Sequence, residues 1–573
     1  MAAEQLATAA EEQAKGYAPI KKEYLRAGGL TETPVTESGE KATGQNKNRG
    51  SRNRNKALKT KREDKLCMKI CTGEECPFGD KCTFSHDVAA YLASKGPDLG
   101  PQCWVFDQVG RCDFGVRCRF AQAHTQDGQQ VVDEEKAAEA GPLKDRMDNG
   151  VERGLQIALR KKQYKFPRTD EFDEQWRKDH PQEQKQQQQQ QQQQAEDSNA
   201  LDEVVKMEAS RKRQRTRRGV VDYRGKTYLA PLTTVGNLPF RRVCKGFGVG
   251  ITCSEMAVAT NILQGQGSEL ALLKRHKCED IFGVQLAGNR ADCVGRAAEF
   301  ISNECSVDFI DLNMGCPIDA AFNNGGGSAL LAHPRKIERM VKTMLYSVDC
   351  DVTVKFRTGV NKGHNVAHSL VPQFSRWGAA LGTLHGRTRQ QRYTKHADWE
   401  YIGECHQLTD HMPLFGGGDV LSWEDYWAHM EERQQCDGIM VGRGALIKPW
   451  IFKEIEERRV WDISATERLD ILKDFARFGM EHWGTDDQGI NNVRRYLLEW
   501  QSFLHRYVPV GLLEVLPQRI NDRPPPYFGR NDLETLMASP LAKDWIRISE
   551  MVLGPAPDDF VFVPKHKSNS YEG

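Results

Sequence analysis

Three groups of residues in this chain combine types and spacings that could do chemistry. The first is Phe309-Ile-Asp-Leu-Asn-Met-Gly-Cys-Pro317, where an apolar run rich in β-formers leads into a loop carrying Asn313, Gly315, Cys316 and Pro317. Gly315 lets the backbone bend toward a ligand and Pro317 fixes φ at the exit, so the thiol of Cys316 is held in one place, as a catalytic group must be. By itself a lone cysteine also reads as an inert core residue. The second group is a pair of cysteine clusters. Cys67, Cys76, Cys82 and His86 follow the pattern C-x8-C-x5-C-x3-H, three thiolates and an imidazole that suit tetrahedral Zn²⁺, with Cys71 left over. Cys103, Cys112 and Cys118 repeat the intervals, but five residues instead of three precede His124. The third group is Gly416-Gly-Gly-Asp419 with Val441-Gly-Arg-Gly444, backbone-rich loops of the kind that cradle a phosphate.

These groups need elements to position them. A chain of 573 residues is long enough for several domains, and its net charge of +1, from 80 basic and 79 acidic residues, hides local clusters of opposite sign. No secretory or membrane-spanning apolar run is present, so a soluble intracellular protein is expected, cytoplasmic, nuclear or both, with no membrane partner. In a reducing compartment the 16 cysteines point to metal rather than disulfides. Residues 1–65 read as a disordered basic region ending in the run Lys47 to Arg62, either a phosphate-binding arm, a nuclear address or a solvated linker. The metal clusters occupy 66–90 and 101–126. A low-complexity linker is expected over 127–218, with a glutamine tract at 186–194, a short helical piece around Leu155 to Lys162 and a closing basic block from Arg211 to Arg218.

From there the rhythm is regular. Apolar or β-rich runs at Tyr228 to Thr233, Ile251 to Met256, Ile281 to Leu286, Phe309 to Asn313, Val352 to Arg357, Leu381 to His385, Pro413 to Phe415 and Gly438 to Val441 alternate with helix-length segments. Eight such units predict an α/β fold, a (β/α)₈ TIM barrel over 219–450, with its site at the C-terminal strand ends. Those ends carry Pro231 to Thr233, Glu255, Gln285, Asn313 with Cys316, Lys355 with Arg357, His385 with Arg387, Gly416 to Asp419, and Gly442 with Arg443. Lys355 could set a cation beside a ring that becomes electron-rich on reduction, or serve a salt bridge at the edge of the core. Gln285 and Asn313 offer donors and acceptors to a heterocycle edge, and His385 reads as a ligand contact or a satisfied barrel-mouth histidine. Asn323 to Ser328 reads as a closing loop or a plain connector. After the barrel, Ser464-Ala-Thr-Glu467 has the capping-box pattern and opens a helical domain over 451–556, followed by a tail at 557–573. There Arg494, Arg495, His505 and Arg506 stand among Tyr496, Trp500 and Phe503.

The tandem cysteine clusters resemble the CCCH zinc fingers, whose members bind single-stranded RNA. Phe78, Phe84, Trp104, Phe114 and Phe120 lie among Lys81, Arg111, Arg117 and Arg119, the mixture of stacking faces and cations that unpaired bases require, while some of the aromatics read instead as the packing of a small zinc-stapled core. Leu312-Asn-Met-Gly-Cys-Pro317, Val354-Lys-Phe-Arg357, Leu384-His-Gly-Arg-Thr-Arg-Gln390 and Met440-Val-Gly-Arg-Gly444 resemble the tRNA-dihydrouridine synthases over roughly 222–560, and fingers ahead of such a barrel are similar to the eukaryotic dihydrouridine(47) subfamily. The resemblance implies FMN held by Pro231, Leu232, Thr233, Gln285, Lys355, His385, Gly417, Gly418, Asp419, Gly442 and Arg443, with Cys316 as proton donor. It implies Zn²⁺ in two structural sites and a monomer that reduces a tRNA uridine at position 47 with NADPH or NADH, mRNA being a further candidate substrate. Leu232 and Thr233 stand where many relatives have a nearby Met, and Gly417 where Asn is usual. An RNA-binding finger protein with an impaired flavin barrel and a free-pyrimidine dehydrogenase are the competing readings.

Overall fold

The computed structural model describes residues 9–26, 65–126, 128–141, 147–181 and 221–565. The basic runs at 47–62 and 211–218 and the glutamine tract at 186–194 lie outside the described residues. The chain forms two compact units. One holds the described residues from 147 to Asp462 together with Val515–Asp522, and the other holds those up to 141, Ile463–Glu514 and those from Arg523 onward.

The first unit is built on eight parallel strands, β1 (Thr227–Leu229), β2 (Ile251–Cys253), β3 (Ile281–Ala287), β4 (Phe309–Met314), β5 (Asp351–Arg357), β6 (Leu381–His385), β7 (Leu414–Gly417) and β8 (Gly438–Val441). Each pairs with its sequence neighbours, β8 pairs with β1, and the sheet closes, as the eight-unit rhythm predicts. β1 is shorter than its apolar run because Pro231 has no N–H for a ladder and starts the turn. The barrel interior is filled by Tyr228, Ile251, Phe309, Leu381, Phe415 and Met440. Its two phenylalanines fit because glycine faces them. A Cβ on Gly283 would fall 2.1 Å from the Phe309 ring, and one on Gly438 2.3 Å from that of Phe415.

The expectation of a low-complexity linker over 127–218 is corrected for 128–141, where Glu134–Ala140 is a helix capped by Asp133, and for 147–181. The helix Arg153–Arg160 is the short one foreseen in sequence, but a second, Pro167–Asp179, follows and packs on the barrel helices. Its Thr169 donates from N and Oγ1 to the fully buried Glu299 at 2.9 and 2.7 Å, and its Trp176 is buried. Asn149 donates to the Leu273 carbonyl at 2.8 Å and accepts from the Ser306 N–H at 2.6 Å. The polar composition hid this because the anchors are single side chains that find long-range partners.

The second unit contains helices Ala465–Trp483, Asp487–Leu504, Asp532–Met537 and Ala542–Leu553. The capping box at Ser464 and Glu467 is present. Two expectations are corrected here. Residues 9–26 are not a disordered part of the N-terminal region, because Ala18 and Ile20 join a core with Val508, Leu512, Leu513 and Tyr527, and Lys21 donates to the Gly511 carbonyl at 2.8 Å. Nor does the tail run free from 557, since Phe562 packs with Leu498 and Trp545 and the Lys565 N–H reaches Glu499 at 3.1 Å. No helix among the described residues is long and apolar enough to cross a membrane.

Candidate active site and metal centres

Parallel register assembles the barrel mouth. Gln285 on β3 faces Asp311 on β4, Asn313 faces Lys355 on β5, Arg357 faces His385 on β6, and His385 faces Gly417 on β7. Residues scattered over about 130 positions of sequence thereby become neighbours roughly 4.8 Å apart.

Cys316 sits half-buried in the loop after β4. Its N–H donates to Asn313 Oδ1 at 3.0 Å, and its carbonyl accepts from Ser328 N at 3.1 Å and Ser328 Oγ at 2.9 Å. Gly327 (φ +56°) closes against it, and a Cβ there would fall 2.9 Å from the Cys316 carbonyl. The segment 323–328, expected to close over substrate or to be a plain connector, is tied at its C-terminal end to Cys316. Arg357 completes the mount, donating to the Gly315 carbonyl at 2.8 Å and to that of Thr388 at 2.9 Å. Arg357 stands in the motif Val354 to Arg357, but its task, like that of Ser328, is set by backbone carbonyls that no motif reveals.

Lys355 is half-buried, and burial followed by repulsion from Arg357 pulls its pKa down to about 8. Its ammonium has no hydrogen-bond or ion-pair partner among the described residues, so it is not a salt-bridge lysine. His385 is held well below the usual imidazole range by burial and by Arg357, Lys355, Arg387 and Arg443, and is neutral at physiological pH. Its buried Nδ1 has no partner among the described residues, so it is not a satisfied histidine either.

At the β6–β8 corner, Arg387 and Arg443 both donate to Asp419 at 2.6 Å, and Asp419 also accepts from the Ala397 N–H at 2.7 Å. Two guanidiniums on one carboxylate leave a net positive charge beside Gly417, Gly418 and Gly442. The Asp419 side chain therefore serves Arg443 rather than an anion. Gly418 (φ +133°) is required, because a Cβ would strike that of Ala397 at 2.5 Å. At Gly417 a Cβ would come to 3.3 Å from the Met440 carbonyl, so a side chain there needs β8 to give way. Gly442 meets nothing closer than Ala230 Cβ at 3.5 Å, so the protein does not need glycine there for its own packing, and the space is a cradle. Pro231, Leu232 and Thr233 line the turn after β1 alongside it, with Leu232 Cδ2 3.8 Å from where a Gly442 Cβ would lie.

The metal ligands converge as their spacing predicts. The ligand atoms of Cys67, Cys76, Cys82 and His86 lie within 4.8 Å of one another, and so do those of Cys103, Cys112, Cys118 and His124. The two extra residues before His124 are taken up by the 3₁₀ turn Ala121–Ala123. Both ring nitrogens of His124 are buried without a hydrogen-bond partner among the described residues, the situation of an imidazole awaiting a metal.

The two clusters differ in surroundings. The first leaves Phe78 65 % and Phe84 39 % exposed, with Lys81 beside them. The second is enclosed by its own unit. Arg117 and Arg119 pair with Asp486 and Asp487, Trp104 lies under Arg477 at 4.2 Å, and Phe120 is buried. Arg117 and Arg119, expected to face bases, are instead structural, and Trp104 and Phe120 follow the packing alternative. Arg494 is likewise buried, donating to Ser549 Oγ at 2.8 Å and the Gly554 carbonyl at 2.7 Å, and His505 is buried, whereas Arg495 is exposed.

A closed barrel that gathers a thiol, an ammonium, a neutral imidazole and paired amides at its C-terminal mouth defines a barrel enzyme with its chemistry at the strand ends. The family described as dihydrouridine synthase matches residues 228–487, and the DUS3L CCCH zinc finger domain matches 62–94. The chain is 49% identical over 578 residues to the tRNA-dihydrouridine(47) synthase NAD(P)(+)-like protein of Homo sapiens, covering 95% of this chain and 87% of that one. To proteins of the same description it is 48% identical in Rattus norvegicus (93% and 86% covered) and 47% in Xenopus tropicalis (93% and 84%). The chain belongs to the dihydrouridine synthase family.

Proposed function

We propose that this protein reduces the C5–C6 double bond of a uridine in tRNA, at position 47, using FMN at the barrel mouth and NADPH or NADH as the source of electrons. The observation that carries the reading is the set of groups left without protein partners at one mouth, the Lys355 ammonium and His385 Nδ1, close to the glycine cradle at Gly442 and the surplus charge of Arg443. That donor set fits a flavin mononucleotide, cation and amides toward the ring and arginine with backbone toward the phosphate. The relatives are described as tRNA-dihydrouridine(47) synthases, which supports tRNA as the substrate and 47 as the position.

When bound, FMN supplies two-electron transfer between a nicotinamide and the uridine ring. The chain's own residues do the rest. Gln285 and Asn313 hold the heterocycle edge, Lys355 compensates negative charge that builds on the ring, and Cys316 delivers a proton to C5 of uridine. A tRNA base reaches such a mouth only when swung out of its stack, at a cost on the order of a few kcal/mol that RNA contacts must offset. The exposed Phe78 and Phe84 of the first cluster offer stacking faces for unpaired bases. Both clusters would hold Zn²⁺.

The deciding experiment purifies the full chain with FMN and measures flavin absorbance and dihydrouridine in tRNA treated with NADPH. A colourless protein after reconstitution, or a flavoprotein that reduces free uracil and not tRNA, overturns the reading. Mapping dihydrouridine in tRNA and mRNA from cells lacking the protein then fixes the position and the RNA class.

Lys355 adds a pH dependence with a definite sign. Its pKa of about 8 means the ammonium is present below that value and lost above it. A ring acceptor hydrogen-bonded to the ammonium favours the charged form and raises the pKa, so binding takes up a proton above pH 8. Flavin affinity is therefore expected to weaken by up to about tenfold per pH unit just above 8. Fluorescence titration between pH 7 and 9.5 checks it, and Lys355→Met should bind more weakly at pH 7 and show no such slope.

A further inference from the structure

One buried polar group at the barrel mouth is singled out by no motif. Asp311 is 1 % exposed and, among the described residues, has no arginine or lysine in hydrogen-bond contact. Its carboxylate accepts from Thr353 Oγ1 at 2.7 Å on one oxygen and from Gln285 Nε2 at 2.7 Å on the other. An ionised carboxylate only accepts, so it forces Gln285 to present its NH₂ toward β4 and its carbonyl away. That carbonyl accepts from Asn313 Nδ2 at 2.7 Å, which in turn fixes Asn313 Oδ1 on the N–H groups of Gly315 at 3.2 Å and Cys316 at 3.0 Å. Turning either amide over would bring two donors or two acceptors face to face in a buried site, and each such mismatch costs a full desolvation penalty.

We infer that Asp311 is a positioning residue whose carboxylate sets the orientation of both amides and, through Asn313, anchors the backbone of the Cys316 loop. The inference rests on the flavin reading above for what the amides face, and adds that one buried group aligns the ring-facing amides and the proton-donating loop together. Register makes this possible, since Asp311 lies between Gln285 and Thr353 on adjacent strands. It also explains why an acid occupies this place. Asparagine could donate or accept, and with Gln285 would have two hydrogen-bonded arrangements instead of one. Keeping a carboxylate there is unfavourable, as burial pushes its pKa up to about 6, against which Gln285, Thr353 and the Lys355 charge act.

Asp311→Asn in the full chain tests this with two readouts that need no turnover. The apoprotein should bind FMN about tenfold more weakly. Alkylation of Cys316 in the apoprotein, followed by mass spectrometry of its peptide, should accelerate about fivefold as the loop loses its anchor. A loss that merely reflects lower stability would speed alkylation of the buried Cys244 and Cys405 as well, whereas the positioning role leaves those two unchanged. On a Gln285→Leu background the substitution should add nothing to the flavin effect. A folded Asp311→Asn protein with unchanged FMN affinity and unchanged Cys316 reactivity overturns the inference, as does full additivity with Gln285→Leu. If that variant fails to fold, Thr353→Val, which removes one of the carboxylate's two donors, should shift both readouts in the same direction by a smaller factor, and no shift overturns it. Should the wild-type protein bind no flavin at all, the flavin reading fails while the alkylation readout still decides the role of Asp311.

Discussion

Cys316→Ala is expected to leave a protein that binds FMN, accepts electrons from NADPH at the wild-type rate and reduces tRNA uridine about 10²- to 10⁴-fold more slowly, the usual range for loss of a positioned acid. The cofactor half of the reaction should survive because the backbone at 316 is held by groups other than the thiol. Asn313 takes its N–H, Ser328 its carbonyl, and Arg357 the carbonyl of Gly315. The side chain can be removed without unmaking the loop. Anaerobic stopped-flow measurement separates the two halves, following flavin bleaching by NADPH and then its recovery on mixing with tRNA. Bleaching should be unchanged and recovery slow. Wild-type recovery in the alanine variant would remove Cys316 from the role of acid.

Cys118→Ser should have the largest effect on stability, and the effect should be confined to one unit. Cys103, Cys112 and Cys118 are each 0 % exposed and His124 1 %, so the cluster is a core element and not a surface appendage. It is stitched to the helix start at Asp486 and Asp487. Cys112 Sγ lies 3.3 Å from Thr485 Oγ1, the Arg119 N–H donates to the Thr485 carbonyl at 2.9 Å, and Arg117 and Arg119 pair with the two aspartates. The Phe114 ring fills the space where a Cβ of Gly484 would stand, at 2.2 Å. Zinc-binding free energies in isolated fingers are on the order of 10 kcal/mol, comparable with the whole stability margin of a domain of about 5–15 kcal/mol. Loss of the metal should therefore unfold the unit rather than soften it. Hydrogen exchange should show protection lost across 465–504 and retained across 309–314 and 351–357 of the barrel. Cys82→Ser, in the first cluster with its half-exposed ligands, should give a smaller loss of stability and a larger loss of RNA affinity. Equal effects of the two substitutions would contradict this division.

The sequence by itself determined everything that follows from local periodicity and chain spacing. A strand that must be buried on both faces is a short apolar run, and eight of them in order leave few folds but a closed barrel. Ligands of one metal lie close along the chain, so the intervals from Cys67 to His86 and from Cys103 to His124 were enough to group them. Cys316, Lys355, His385 and the glycine loops were legible because each stands at the end of such a run. What only the tertiary structure decided depends on partners distant in the chain. Arg117 and Arg119 have the composition of base-contacting cations, yet their charges are spent on Asp486 and Asp487, more than 360 residues away. Residues 9–26 look too polar to fold, but a few apolar side chains suffice once the surface around Leu512 and Tyr527 exists to receive them. Asp311 lies inside a strand, where a pattern reading finds only an interruption of apolar residues. Its meaning comes from β3 and β5 on either side, because a buried carboxylate is defined by the donors the fold brings to it.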